Sequence, residues 1–119
     1  MFSVQRSGLK PKPKIITLCG SSRFVDIMAV IAWQLERDEH AITLGLHLVP
    51  QWYAEDISDH LAEHQGCANE MDELHLRKID ISDEIYVVNW RGYIGESTKR
   101  EIEYAKTTGK RIRSLEPLE

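Results

Sequence analysis

The residue types best suited to chemistry fall in two short junctions, CGSSR at Cys19–Arg23 and GESTKRE at Gly95–Glu101. Each follows a run of strand-like composition and opens a helical pattern. A strand that turns through Gly and Ser into a helix leaves free amides at the positive end of the helix dipole, which favours an anion. In the first junction Gly20 allows close approach of backbone to a ligand. Ser21 and Ser22 add hydroxyls, and Arg23 offers a forked cation matched to phosphate. A purely structural account is also open: Ser22 caps the helix and Arg23 is a solvated surface residue.

The second junction brings carboxylates. Asp83 precedes the strand-like run Ile85–Asn89, and Glu101 lies on the helix that follows the loop WRGYIGE at Trp90–Glu96. Gly92 and Gly95 permit a tight approach, Ser97 and Thr98 place hydroxyls at the helix start, and Tyr93 can flank a ring. Two carboxylates meeting at one site allow one to attack or stabilise positive charge while the other manages a proton. Thr98 and Glu101 also have the spacing of a capping box, in which Glu101 reaches back to the Thr98 amide. A carboxylate committed to that cap is badly placed to attack anything.

The elements around these junctions alternate. Ile15–Cys19 is a short β-branched run ending at Gly20. Phe24, Ile27, Met28, Ile31 and Leu35 then fall at helical spacing. Ile42–Val49 returns to strand composition and closes at Pro50. The segment 51–65 is irregular, with a short helix expected around 59–63. Asn69 is placed to cap a helix carrying Met71, Leu74, His75, Lys78 and Ile79 on one face. Strand Ile85–Asn89, helix Ser97–Thr108 stopped by Gly109, and a last strand at Arg111–Leu115 complete the order. This alternation predicts an α/β fold, a Rossmann-like or flavodoxin-like three-layer sandwich with a mostly parallel sheet of four to five strands. Residues 1–14 read as a flexible tail and 15–119 as one domain. In such sheets ligands sit beyond the carboxyl ends of the strands, where both junctions are expected.

Composition narrows the ligand. A chain of 119 residues with formal charge −4 has no general basic field for a nucleic-acid polymer or an anionic membrane. A phosphate would have to be held locally, which favours a small molecule. No apolar stretch approaches the ~20 residues needed to cross a bilayer, and Met1–Lys14 is polar and basic, unlike a secretory leader. Cys19 and Cys67 are expected to be reduced thiols in a cytoplasmic protein. His60 and His64, four apart, have a spacing that zinc can use, but no HExxH pattern or third ligand accompanies them, so no metal is expected. His75 reads as a helix-face residue and Trp33 and Trp90 as core or subunit-contact residues. Trp52 and Tyr53 are candidates for a base platform.

Taken in order, CGSSR, KIDISDEIYVV at Lys78–Val88 and YIGESTKREIEYAKTTGK at Tyr93–Lys110 resemble the nucleoside 2-deoxyribosyltransferase-like superfamily. That group includes the 2'-deoxynucleoside 5'-monophosphate N-glycosidases. The resemblance runs from about Ile15 to Leu115. It implies a doubly wound α/β fold, a homodimer or higher homo-oligomer, and cleavage or transfer of an N-glycosidic bond without metal or redox cofactor. In it Glu101 matches the nucleophile, and Asp83 matches the aspartate that positions or protonates the base. Gly20, Ser21 and Arg23 match the loop that holds sugar or 5'-phosphate, and Ser97 and Thr98 lie near that phosphate. The chain departs from the family loop at Gly95–Thr98, where Glu96 adds negative charge near the expected phosphate. A catalytically silent nucleotide sensor of the same fold is the competing expectation. A phosphoribohydrolase of the cytokinin-activating type is a related enzymatic one, although its GGxGT run is missing.

Overall fold

A computed structural model describes residues 11–47, 49, 51–54 and 61–118. The expected strand at Ile15–Cys19 is β1 (Ile15–Gly20). After a 3-10 turn at Ser22–Phe24 comes α1 (Val25–Glu39), which buries Met28, Ile31 and Leu35 as the helical spacing requires. β2 is shorter than its sequence, covering Ile42–Leu44. The irregular segment holds two single turns, α2 (Gln51–Ala54) and α3 (Leu61–His64), and His60 lies outside the described residues. α4 (Ala68–Asp80) begins one residue before Asn69. The expected Asn69 cap is therefore not formed, and Cys67 holds the cap position without a side-chain hydrogen bond. β3 (Glu84–Val88), α5 (Glu96–Thr107) and β4 (Arg111–Ser114) follow, and Gly109 leaves α5 at φ 74°, in the left-handed conformation glycine favours.

The four strands are all parallel and lie in the order β2-β1-β3-β4. The chain moves from β1 outward to β2, then returns across β1 to β3 and continues to β4. Its direction reverses between β1 and β3, so their carboxyl ends flank the crevice where such sheets bind ligands. The expected α/β three-layer sandwich is present, with four strands. No helix among the described residues is long and apolar enough to cross a membrane.

Strand alternation divides the core in two. Ile16, Leu18 and Val88 face α1 and pack with Phe24, Met28, Ile31 and Leu35. Cys19, Ile85 and Val87 face the other side and pack with Ile79 of α4 and with Ile102 and Ala105 of α5. Each such buried aliphatic side chain contributes about 1.5–3 kcal/mol over its exposed state. Gly20 is a packing necessity within this sheet. It pairs with Val88, and a Cβ on it would meet the Val88 carbonyl oxygen at 3.0 Å. Its lack of a side chain therefore serves the approach of β1 to β3, in place of the ligand contact expected of it.

The amino ends of the strands carry a different chemistry. Asp83 Oδ2 accepts from the Ile15 amide at 2.8 Å, and the Asp83 amide donates to the Ile15 carbonyl at 2.8 Å. Beside it, buried Glu84 is ringed by Lys14 at 2.9 Å, Arg113 at 3.2 Å and Arg111 at 3.3 Å. Burial works to raise the Glu84 carboxyl, but Lys14 and Arg113 outweigh it and hold it below the ordinary carboxylate range.

Candidate functional site

A cleft of about 240 Å³ opens at the carboxyl ends of β1 and β3. Its walls come from Ser21 and Ser22 after β1, from Gly95, Glu96, Ser97 and Glu101 of the second junction, and from Asp72, His75 and Lys78 of α4. Leu46, His47, Val49 and Leu61 close the side toward the irregular segment. Both junctions therefore reach one cavity, as their places after neighbouring strands require.

Among the carboxylates lining this cavity, Glu101 is the buried one. The N-cap of α5 is Gly95, and Thr98 is buried within the first turn. The capping-box alternative thus does not hold, because Glu101 stands a turn inside the helix with its carboxylate beside His75 and Cys19. It is 8 % exposed, and Oε1 makes no hydrogen bond of good geometry among the described residues. Burial raises its pKa to about 7; the Cys19 thiol opposes this, Asp72 adds to it and Arg100 opposes it weakly.

His75 Nε2 lies 3.7 Å from Glu101 Oε1 and 3.6 Å from Cys19 Sγ. Burial depresses the imidazole to about 4, helped by Lys78 and His47 and opposed by the Leu18 carbonyl. The contact with Glu101 is therefore not an ion pair at neutral pH, since the ring is neutral there. Burial, reinforced by Glu101, pushes the Cys19 thiol well above its ordinary value. β1 delivers Cys19 because the side chain of residue 19 alternates onto the α4/α5 face, and His75 is one turn above Ile79 on the buried face of α4.

The other expected residues divide. Ser21, Ser22, Gly95 and Ser97 line the cleft. Ser21, rather than Ser22, caps the 3-10 turn, accepting from the Arg23 amide at 3.3 Å, and Ser97 Oγ accepts from Arg100 at 3.2 Å. Arg23 and Tyr93 are outside the lining: the guanidinium stacks over the Tyr93 ring at 4.4 Å, and that ring meets Phe24 edge-on at 5.9 Å. Thr98 is buried and does not face the cavity. Trp33 is 58 % exposed on α1, so it is not a core residue of this chain. Trp52 and Tyr53 pack on each other, exposed, and neither lines the cleft.

Asp83 is the principal correction. It precedes β3, whereas the Glu101 carboxylate lies beside Cys19, which pairs with Val87 near the other end of that strand. Four residues at ~3.3 Å each separate the two levels by roughly 13 Å. The Asp83 carboxylate is spent on the Ile15 amide at the far end of the sheet. The sequence reading missed Asp72 as the acidic neighbour of Glu101. Its signal was available: Asp72, His75 and Ile79 fall at i, i+3 and i+7 on one helix face.

No family model matches the chain, and neither a curated protein nor a solved structure does.

Proposed function

We propose that this protein cleaves or transfers the N-glycosidic bond of a (deoxy)nucleoside, with Glu101 as nucleophile. The observation that carries the reading is the placement of Glu101: a nearly buried carboxylate, free of any helix cap, in the wall of the switch-point cleft. The resemblance of the two junctions to nucleoside 2-deoxyribosyltransferase-like proteins supplies the reaction class. In the reaction Glu101 attacks the anomeric carbon, the C1'–N bond breaks, and its electron pair leaves on the base, which takes a proton from cleft water. Water then opens the glycosyl ester in a hydrolase, or a second base does so in a transferase. Asp72, exposed in the same wall, takes the orienting role that the resemblance gives to Asp83, by accepting a hydrogen bond from the base.

Electrostatics favour the nucleoside over its 5'-monophosphate. Glu63, Asp72, Glu101 and Glu96, the last paired with Lys99 at 3.1 Å, line the cleft against Lys78, whose ammonium already donates to the Gly45 carbonyl at 2.6 Å. Arg23, the cation expected for phosphate, is stacked on Tyr93. A dianion entering this wall meets net negative charge.

The test is chromatography of free base after incubation, in the presence of chelator, with a panel of nucleosides and their monophosphates. Wild-type protein is expected to release base from a nucleoside, and Glu101→Gln to lose at least ~10³-fold, the scale seen when a nucleophile is removed. Retained turnover in the variant overturns the assignment. A second reading, a binding module without turnover, is favoured by the separation of Asp83 from Glu101, which splits the carboxylate pair the resemblance implies. Calorimetry showing nucleoside binding with no base released decides for it.

A further inference from the structure

Beneath the cleft, Glu101 shares a constellation with two side chains, Cys19 and His75, that glycosidic chemistry does not use. Cys19 Sγ, His75 Nε2 and a Glu101 oxygen come from β1, α4 and α5 and lie within 4.8 Å of one another. All three residues are at least nine-tenths buried, at 0 %, 3 % and 8 % exposure. Glu101 Oε1, the oxygen that faces His75 Nε2, has no hydrogen-bond partner of good geometry among the described residues. Buried polar atoms are rarely left so, because each costs about 1–3 kcal/mol.

We infer that Cys19, His75 and Glu101 form a binding site for a thiophilic divalent metal ion, with zinc the best fit. The donor geometry is close to what the ion would impose. Zinc bonds of ~2.3 Å to sulfur and ~2.0–2.2 Å to nitrogen or oxygen, at the tetrahedral angle, put S and N about 3.5 Å apart and N and O about 3.4 Å apart. The corresponding separations here are 3.6 Å and 3.7 Å. Thiolate, imidazole and carboxylate are the donor classes zinc takes in proteins, whereas magnesium and calcium want oxygen alone. Charge also balances: one thiolate and one carboxylate neutralise a divalent ion, so the complex can stay buried. Binding releases the Cys19 thiol proton, and any proton on Glu101, to solvent. His75 and Glu101 both line the cleft, which leaves a fourth position open to water or a ligand from the cavity side.

This inference stands apart from the glycosidase reading and constrains it, since a metal on Glu101 occupies the nucleophile. The experiment uses full-length, chelator-stripped, thiol-reduced protein titrated with cobalt(II) and followed by absorption, then back-titrated with zinc. One equivalent of cobalt is expected to give a sulfur-to-metal charge-transfer band with the strong visible absorption of four-coordination, and zinc to bleach both. Cys67→Ser should retain the band and Cys19→Ser should lose it. His75→Leu and Glu101→Gln should each weaken affinity at least ~10-fold. Folding of each variant is checked by circular dichroism; should Cys19→Ser not fold, Cys67→Ser and His75→Leu decide the matter. No cobalt binding, a band that survives Cys19→Ser, a band lost in Cys67→Ser, or unchanged affinity in His75→Leu overturns the site. No turnover is read. A protein silent toward nucleosides that binds cobalt leaves this inference intact, and an active one that does not bind overturns it alone.

Discussion

Glu101 and His75 are displaced in opposite directions by the same burial, and their effects on stability oppose each other. Glu101 is raised from 4.5 to about 7 in the folded chain, so its contribution is complete below its unfolded value and is lost as pH rises through 7. His75 is lowered from 6.5 to about 4, so its contribution is present above 6.5 and is lost as pH falls through 4. The groups facing the pair are Cys19 from β1, Asp72 and Lys78 from α4, Arg100 from α5, and His47 beyond β2. Between about 4.5 and 6.5 the two slopes have opposite sign, and metal-free protein should be nearly flat in stability there. Glu101→Gln should leave stability rising with pH over that window, and His75→Leu should leave it falling toward 7. Either slope reaches at most ~1.4 kcal/mol per pH unit, the value for one proton. Urea unfolding with chelator at stepped pH reads this, and identical profiles for both variants would sink it. Glu101 was legible in the sequence as a candidate because its loop and helix were. His75 was not, since a histidine on an apolar helix face looks the same whether it is packed inertly or aimed at a thiol from another strand.

The elements were more readable than their ends. β1, α1, β3 and α5 carried long or strongly periodic signals, and the structure keeps each within a few residues. β2 stops at Leu44, where Gly45 interrupts the strand-like run, and Leu46, His47 and Val49 beyond it wall the cleft, a tertiary outcome that strand composition does not encode. The capping-box alternative fails for a related reason. Thr98 and Glu101 have the right spacing, but the loop from Trp90 allows α5 to begin at Glu96, so that spacing falls inside the helix. Gly20 shows the same limit, since glycine between strand and helix signals a ligand contact and a sheet contact alike. Gly20→Ala should lower stability by ~1–3 kcal/mol, the range for overpacking, because the added carbon meets Val88 backbone and Cβ. Denaturant midpoints measure this. A change within ~0.5 kcal/mol would mean that β1 and β3 can separate without penalty.

Across the whole molecule the sheet has two ends with different tasks. The carboxyl ends hold the cleft, with Glu101, His75 and Asp72. The amino ends hold Asp83 on the Ile15 amide and Glu84 among Lys14, Arg111 and Arg113. Fold class and the location of the cleft followed from the alternation of strand and helix patterns. Which carboxylate belonged to which end did not follow, because a five-residue strand lies between Asp83 and the loop that reaches the cleft. Asp83→Ala should therefore destabilise by about 1 kcal/mol, the worth of a typical hydrogen bond, and leave any base release by the folded protein unchanged. Melting curves beside the chromatographic assay test this, and a selective loss of turnover would return Asp83 to the chemistry.

Cys19 also gives the cavity a built-in clock. Its sulfur is fully enclosed and held protonated, whereas Cys67 is half-buried at the start of α4. An aromatic disulfide reagent should consume one thiol quickly and the other only as fast as β1, α4 and α5 part. The slow phase then times the breathing of the cleft floor. A nucleoside or a metal ion that braces those elements should lengthen it, while the fast phase stays as it was.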